Sequence, residues 1–325
     1  MNDLGKRTAV IGIAVLALAG SGRVSGQDYP NRPITFVVAN AGGTPSDNVA
    51  RFFATEMAKV LGQPIVVENK PGANQVIGLE HVARLAPADG YTFISAFQTA
   101  VVTLPVVVKD LRFNPTKDLI PVAGLATERL ALWSSAKQPW SNFGEFVQHA
   151  KSSPGKLNYG SPSAATRLTM EALLKSPTLS LDVVHIPYKG SAPSFQALLA
   201  GEVHVGLGAL QAAVASGDKI RLLAVTGETR SPKLPDVPTF KELGFGHVQG
   251  VKHVLLARAG TPPRILENVY RAYTTVMQRP EFRARLAATG LEPFADSSAE
   301  ASAKNMADEQ QMFADIAKRI GIQPE

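Results

Sequence analysis

The sequence predicts a two-domain α/β protein whose mostly parallel sheets are covered by helices on both faces. Three observations predict it. Short β-branched, apolar runs alternate with stretches of helical periodicity. The 325 residues hold more such units than one small sheet accommodates. No repeat of 20–50 residues occurs, which argues against a solenoid or propeller.

A first strand, 34–39, breaks at Ala41-Gly42-Gly43-Thr44-Pro45 and leads into a helix over 46–61. The pattern repeats with a strand at 64–68, a turn at Lys70-Pro71-Gly72-Ala73-Asn74, a helix over 75–85 and a strand at 90–95. Farther on come helix 143–151, strand 157–160, helix 166–174, strand 182–186, helix 194–200 and strands 203–207 and 220–226. Helices over 263–278, 281–289 and 299–319 close the chain. In such folds ligands collect beyond the carboxyl ends of the strands, where helix N-termini converge.

Composition narrows the chemistry. With no cysteine, disulfides, Fe–S clusters, thiolate zinc sites and cysteine nucleophiles are excluded. The net charge of +6 is scattered, so it reads as a solubility property rather than a nucleic-acid surface. Lys6 and Arg7 precede an apolar run at 8–20, too short to span a bilayer but long enough for a signal peptide. Val24-Ser25-Gly26 fits cleavage before Gln27, so residues 1–26 are expected to be removed on export.

Catalytic motifs are mostly missing. There is no G-x-S-x-G elbow and no phosphate-binding P-loop, and Gly206-Leu207-Gly208-Ala209-Leu210-Gln211 fails as a dinucleotide fingerprint. The six histidines lie apart, which favours ordinary structural roles, and no metal or other cofactor is expected.

What remains are loops suited to holding anions. Gly42-Gly43-Thr44-Pro45-Ser46-Asp47 joins strand to helix; its backbone N–H groups are expected to face outward, with Ser46 or Asp47 capping the helix. The other reading is a turn that needs glycine and binds nothing. Tyr159-Gly160-Ser161-Pro162-Ser163-Ala164-Ala165-Thr166 places three hydroxyls at a second helix start, more than capping alone requires. In Ile186-Pro187-Tyr188-Lys189-Gly190-Ser191-Ala192-Pro193, Lys189 is either a point charge for the ligand or solvated, and Tyr188 a lid or a packing residue.

These blocks carry a resemblance. Together with Tyr29-Pro30-Asn31-Arg32-Pro33, Leu61-Gly62-Gln63-Pro64, Asn69-Lys70-Pro71-Gly72-Ala73, Asp89-Gly90-Tyr91-Thr92, Leu234-Pro235-Asp236-Val237-Pro238-Thr239 and Ala259-Gly260-Thr261-Pro262, in this order, the chain resembles the Bug or TctC family. These are periplasmic solute receptors of tripartite tricarboxylate transporters. The resemblance implies a type II Venus flytrap with two mixed, mostly parallel sheets: residues 27–125 and 251–325 in lobe 1, residues 126–250 in lobe 2. It implies capture of a small organic carboxylate without catalysis, by a monomer that hands its ligand to membrane permease subunits. A sensor kinase as partner, or an exported hydrolase or isomerase, are the alternatives. Carried onto this sequence, the ligand contacts are Gly43, Thr44, Ser46, Asp47 and Asn74 in lobe 1, and Ser161, Ser163, Thr166, Gly190 and Ser191 in lobe 2, with Lys189 beside them.

The chain also departs from the family pattern. Ala39-Asn40 replaces Pro-Phe, Thr44 replaces a glycine, and Arg167 stands where histidine is common. His204 and Gly208 occupy positions where acids are frequent, and Lys252-His253 replace an aromatic pair. The segment around 203–208 then offers no anion for an ammonium group, which favours an anionic, non-amino ligand; Gly208 is expected otherwise to enlarge the cleft.

Overall fold

The computed structural model describes residues 29–324 except 232, 295, 296 and 323. The signal segment and the cleavage site before Gln27 lie outside the described residues.

The chain runs β1 (Ile34–Val38), α1 (Pro45–Leu61), β2 (Ile65–Asn69), α2 (Val76–Glu80, prolonged by a wider turn at His81–Leu85), β3 (Thr92–Phe97), α3 (Gln98–Val107), α4 (Pro115–Asp118) and β4 (Leu119–Glu128). It continues with β5 (Leu130–Ser135), α5 (Phe143–Ser152), β6 (Leu157–Ser161), α6 (Ala164–Leu174), β7 (Val183–Pro187), α7 (Ser191–Ala200), β8 (Val205–Ala209), α8 (Leu210–Ala215) and β9 (Ile220–Val225). It ends with β10 (Val251–Arg258), α9 (Pro263–Met277), α10 (Pro280–Ala288), β11 (Leu291–Glu292) and α11 (Ala299–Ile320).

Two sheets organise two lobes. Lobe 1 is built on the order β11-β4-β10-β3-β1-β2, and lobe 2 on β7-β6-β8-β5-β9. The expectation of mostly parallel sheets needs correcting. The pairs β1–β2, β1–β3, β6–β7 and β6–β8 are parallel, whereas β3–β10, β4–β10, β4–β11, β5–β8 and β5–β9 are antiparallel. The reason is the connectivity. β5 and β10, the first strands after each passage between sheets, run against both of their neighbours, whereas helical crossovers set β1, β2 and β3, and β6, β7 and β8, parallel.

In lobe 1, Thr44 caps α1, Pro45 follows at its first turn and Gly62 ends it in a left-handed conformation. The buried face of α1 packs Phe53 against Tyr273 and Phe282, with ring centroids 5.6 and 5.1 Å apart. The core of lobe 2 gathers Trp140, Phe146, Tyr159 and Leu173; the Trp140 indole N–H donates to Ser134 Oγ at 2.8 Å and the Tyr159 hydroxyl to Glu171 at 2.7 Å.

The lobes are joined at Arg129, between β4 and β5, and through 226–250, between β9 and β10. Arg129 is nearly buried and donates to both Glu292 of lobe 1 and the Thr229 carbonyl of the second crossing. α11 adds a seam: Phe313, Ile316 and Ala317 share a core with Leu168 and Ala172 of α6 in lobe 2.

Candidate ligand cleft

A cleft of about 580 Å³ opens between the sheets. Lobe 1 lines it with Asn40, Thr44, Pro45, Asn74, Gln75, Phe97 and Thr99, and lobe 2 with Trp133, Ser163, Thr166, Gly190, Ser191 and Phe195. Glu128, Leu130 and Val251 line it where the chain crosses. Of the residues expected from the sequence, Thr44, Asn74, Ser163, Thr166, Gly190 and Ser191 meet here; Gly43, Ser46, Asp47, Ser161 and Lys189 are not among the lining residues.

Lobe 2 supplies donors from two helix N-termini. Ser163, extended at φ −159°, caps α6: its Oγ accepts from the Thr166 amide at 3.2 Å and lies 3.1 Å from Thr166 Oγ1. The amides of Ala164 and Ala165 precede the first intrahelical bond and have no partner among the described residues, and both residues line the cleft. At α7 the cap is Gly190, at φ 106°, and no side chain caps the helix. The Ser191 and Ala192 amides are therefore open to an anion, and Pro193 has none to offer.

Lobe 1 behaves differently. The cap of α1 is Thr44, not Ser46 or Asp47, because Asp47 has turned inward. Its carboxylate accepts from the Gly43 amide, from Arg51 Nε and from Asn69 Nδ2, each at 2.9 Å. Burial by itself would raise the Asp47 pKa, but these hydrogen bonds, Arg51's first, outweigh it and hold the carboxyl below its usual range. Contrary to the expectation of outward amides, Gly43 is satisfied internally, and Ser46 is fully buried. The next loop carries strain instead: Ala73, Asn74 and Gln75 adopt φ of 45°, 51° and 76° in succession, and Gln75 Oε1 is tied to the Phe97 amide at 3.3 Å. This presents the Asn74 amide, which has no partner among the described residues, to the cleft.

Ser161 is 3% exposed and its Oγ lies 2.6 Å from His185 Nε2. A Ser–His contact of this kind is not presented to a substrate here, since neither residue lines the cleft. Burial, and then the Arg167 charge, push His185 down to about 4 from its ordinary 6.5. The unfolded chain therefore takes up this proton first, so the His185 contribution is whole above about pH 6.5 and is lost as the pH falls toward 4. Denaturant titrations of wild type and His185→Gln across that window are expected to converge at acid pH; parallel curves would refute the assignment.

Other departures resolve structurally. His204 is held by Asn158 Oδ1 at 2.7 Å, outside the lining. Gly208 does line the cleft, but it does not enlarge it: the Trp133 ring fills the place a side chain would take. Tyr188 packs in the lobe 2 core beside Gly160, and Lys189 is exposed. His253 is fully buried, and Lys252, its pKa lowered by burial, faces Glu309, whose pKa burial raises. The sequence reading missed Phe97, Thr99, Trp133 and Glu128. The segment around 203–208 brings no acid to the lining, but Glu128 enters it from β4.

Comparison with known proteins agrees with this architecture. The profile of the tripartite tricarboxylate transporter family receptor matches residues 49–322. A UPF0065 protein encoded in the gbd 5′ region of Cupriavidus necator is 38% identical over 290 residues, covering 88% of this chain and 86% of that protein. A Rhodopseudomonas palustris protein solved with adipate superposes with a TM-score of 0.77 at 28% identity, covering 92% of this chain and 100% of the other. MatC from the same organism, solved with malate, gives 0.72 at 29% identity, covering 89% and 99%. A chain with this profile, two α/β sheets and a cleft between them belongs to the tripartite tricarboxylate transporter receptor family, whose members are periplasmic solute-binding proteins and not enzymes.

Proposed function

We propose that the protein captures a small organic carboxylate between its lobes and presents the closed form to the membrane permease of a tripartite tricarboxylate transporter. The observation that carries this reading is the pair of lobe 2 helices, α6 and α7, whose free N-terminal amides border the same cleft. Their dipoles favour a negative group, and each charge-assisted bond to a carboxylate contributes about 1.5–3 kcal/mol. Two or three such bonds supply about 3–9 kcal/mol, and burial of the ligand's apolar body provides the rest of the roughly −8 kcal/mol of a micromolar complex once the ordering cost is met. Lobe 1 adds Asn74, Thr99 and Thr44 from the opposite wall, so a bound ligand bridges the lobes and stabilises their approach. The malate and adipate held by the two structural relatives support the same ligand class.

Calorimetric titration with a panel of carboxylates, paired with small-angle scattering, tests this. Binding of at least one acid at micromolar affinity, with a fall in radius of gyration, is the expected result. A protein that takes up no acid and stays equally extended would refute it.

A further inference from the structure

The charge and shape of the cleft wall specify more than a carboxylate. Among the described lining residues Glu128 is the single charged side chain; no lysine or arginine reaches the cleft. Its side chain is 15% exposed and accepts no hydrogen bond from the described residues; His253 Nε2 lies 3.9 Å from it, beyond hydrogen-bond reach. His253 itself is fully buried with both ring nitrogens unpartnered, so the acid is not already served from behind. The carboxylate faces the cleft with no protein donor of its own, so a ligand group that can donate to it takes the place of cleft water. A second carboxylate near Glu128 would have the opposite effect. The rest of the wall is apolar and partly aromatic: Phe97, Leu130, Trp133, Phe195 and Leu207. Trp133 is 7% exposed, meets Phe195 edge-on at 4.6 Å, and keeps its indole N–H without a partner.

We propose that the cleft selects a monocarboxylate over a dicarboxylate: one carboxylate on the α6 and α7 amides, an apolar body against Trp133 and its neighbours, and a hydroxyl or ammonium group donating to Glu128. The inference rests on the carboxylate reading above and departs from the diacids of the two structural relatives.

An isosteric series tests it. Hexanoate, 6-hydroxyhexanoate, 6-aminohexanoate and adipate share one chain and differ only at the far end. They are accompanied by 4-hydroxybenzoate and terephthalate for a flat body. Because Trp133 and Trp140 are the only tryptophans and Trp140 is sealed in the lobe 2 core, intrinsic fluorescence reads Trp133 alongside calorimetry. At pH 7.5 an acid bearing a donor is expected to bind at least tenfold more tightly than its diacid counterpart. The hydroxyl and amino arms tell a neutral donor from a cationic one. In Glu128→Gln, adipate should gain tenfold or more and 6-aminohexanoate lose as much. Diacids binding more tightly to the wild type, or an order unchanged in Glu128→Gln, would overturn the inference and leave the carboxylate receptor standing. Binding of no acid at all would overturn both. If the variant does not fold, the wild-type order alone decides.

Discussion

Replacing Ser163 and Thr166 together with Ala is expected to weaken carboxylate binding tenfold or more while lowering the unfolding free energy by about 1 kcal/mol. The two effects have separate origins. Ser163 Oγ is the cap of α6, accepting from the Thr166 amide, and that bond holds the helix start in place. Thr166 Oγ1 and Ser163 Oγ, 3.1 Å apart, share one hydroxyl hydrogen and leave the other to donate toward the cleft. Loss of that one donor to an ionised group already meets the tenfold floor unless water takes its place, and water recovers part of the energy. Ser163→Gly with Thr166→Ala separates the terms, because glycine is a tolerated cap and cannot donate. Calorimetry should show the affinity loss in both double variants, and thermal unfolding the larger stability loss in the alanine pair. Unchanged affinity would remove the Ser163 and Thr166 hydroxyls from the anion site and leave only the helix N-terminal amides there.

The second large effect is on stability. Asp47→Ala is expected to cost about 2–4 kcal/mol, because it leaves the Gly43 amide, the Asn69 amide and the Arg51 guanidinium without the acceptor that gathers them. Asp47→Asn, which keeps shape and one carbonyl, should cost less. The pH dependence has a definite sign. The folded pKa of Asp47 is depressed, so its contribution is whole above the ordinary carboxylate range and disappears as the pH falls through the lowered value. Urea unfolding should therefore find wild type and Asp47→Ala far apart at pH 7 and closer near pH 3. A gap that stays constant with pH would refute the account. Affinity should fall too, since Thr44 and Pro45 of the same loop line the cleft.

These two sites also show what could be read from the chain. The strand–helix junctions were legible because glycine, proline and hydroxyl residues cluster there for local reasons: Ser163 caps its helix and Gly190 takes a φ other residues avoid. Which amides face outward was not legible. Gly43 and Gly190 look alike in sequence, but only the first has an aspartate four residues on, and that carboxylate consumes its N–H. Glu128 and Trp133 were missed for a different reason. They lie on β4 and β5, where burial on both faces erases the period of two and leaves continuous apolar runs with no face to assign. Their meeting with residues of α6 and α7 depends on the crossing at Arg129, a long-range contact that spacing does not encode.

The position of β10 bears on how the molecule is assembled. It sits between β3 and β4 in the lobe 1 sheet, but it follows every strand of lobe 2 in the chain. A polypeptide emerging from an export channel thus delivers β3 and β4 with open edges and must complete the whole of lobe 2 before the missing strand arrives. Lobe 2, continuous in sequence, closes its sheet without waiting. The half that begins first finishes last, and in the interval its exposed edges are the ones an extracytoplasmic chaperone would need to shield.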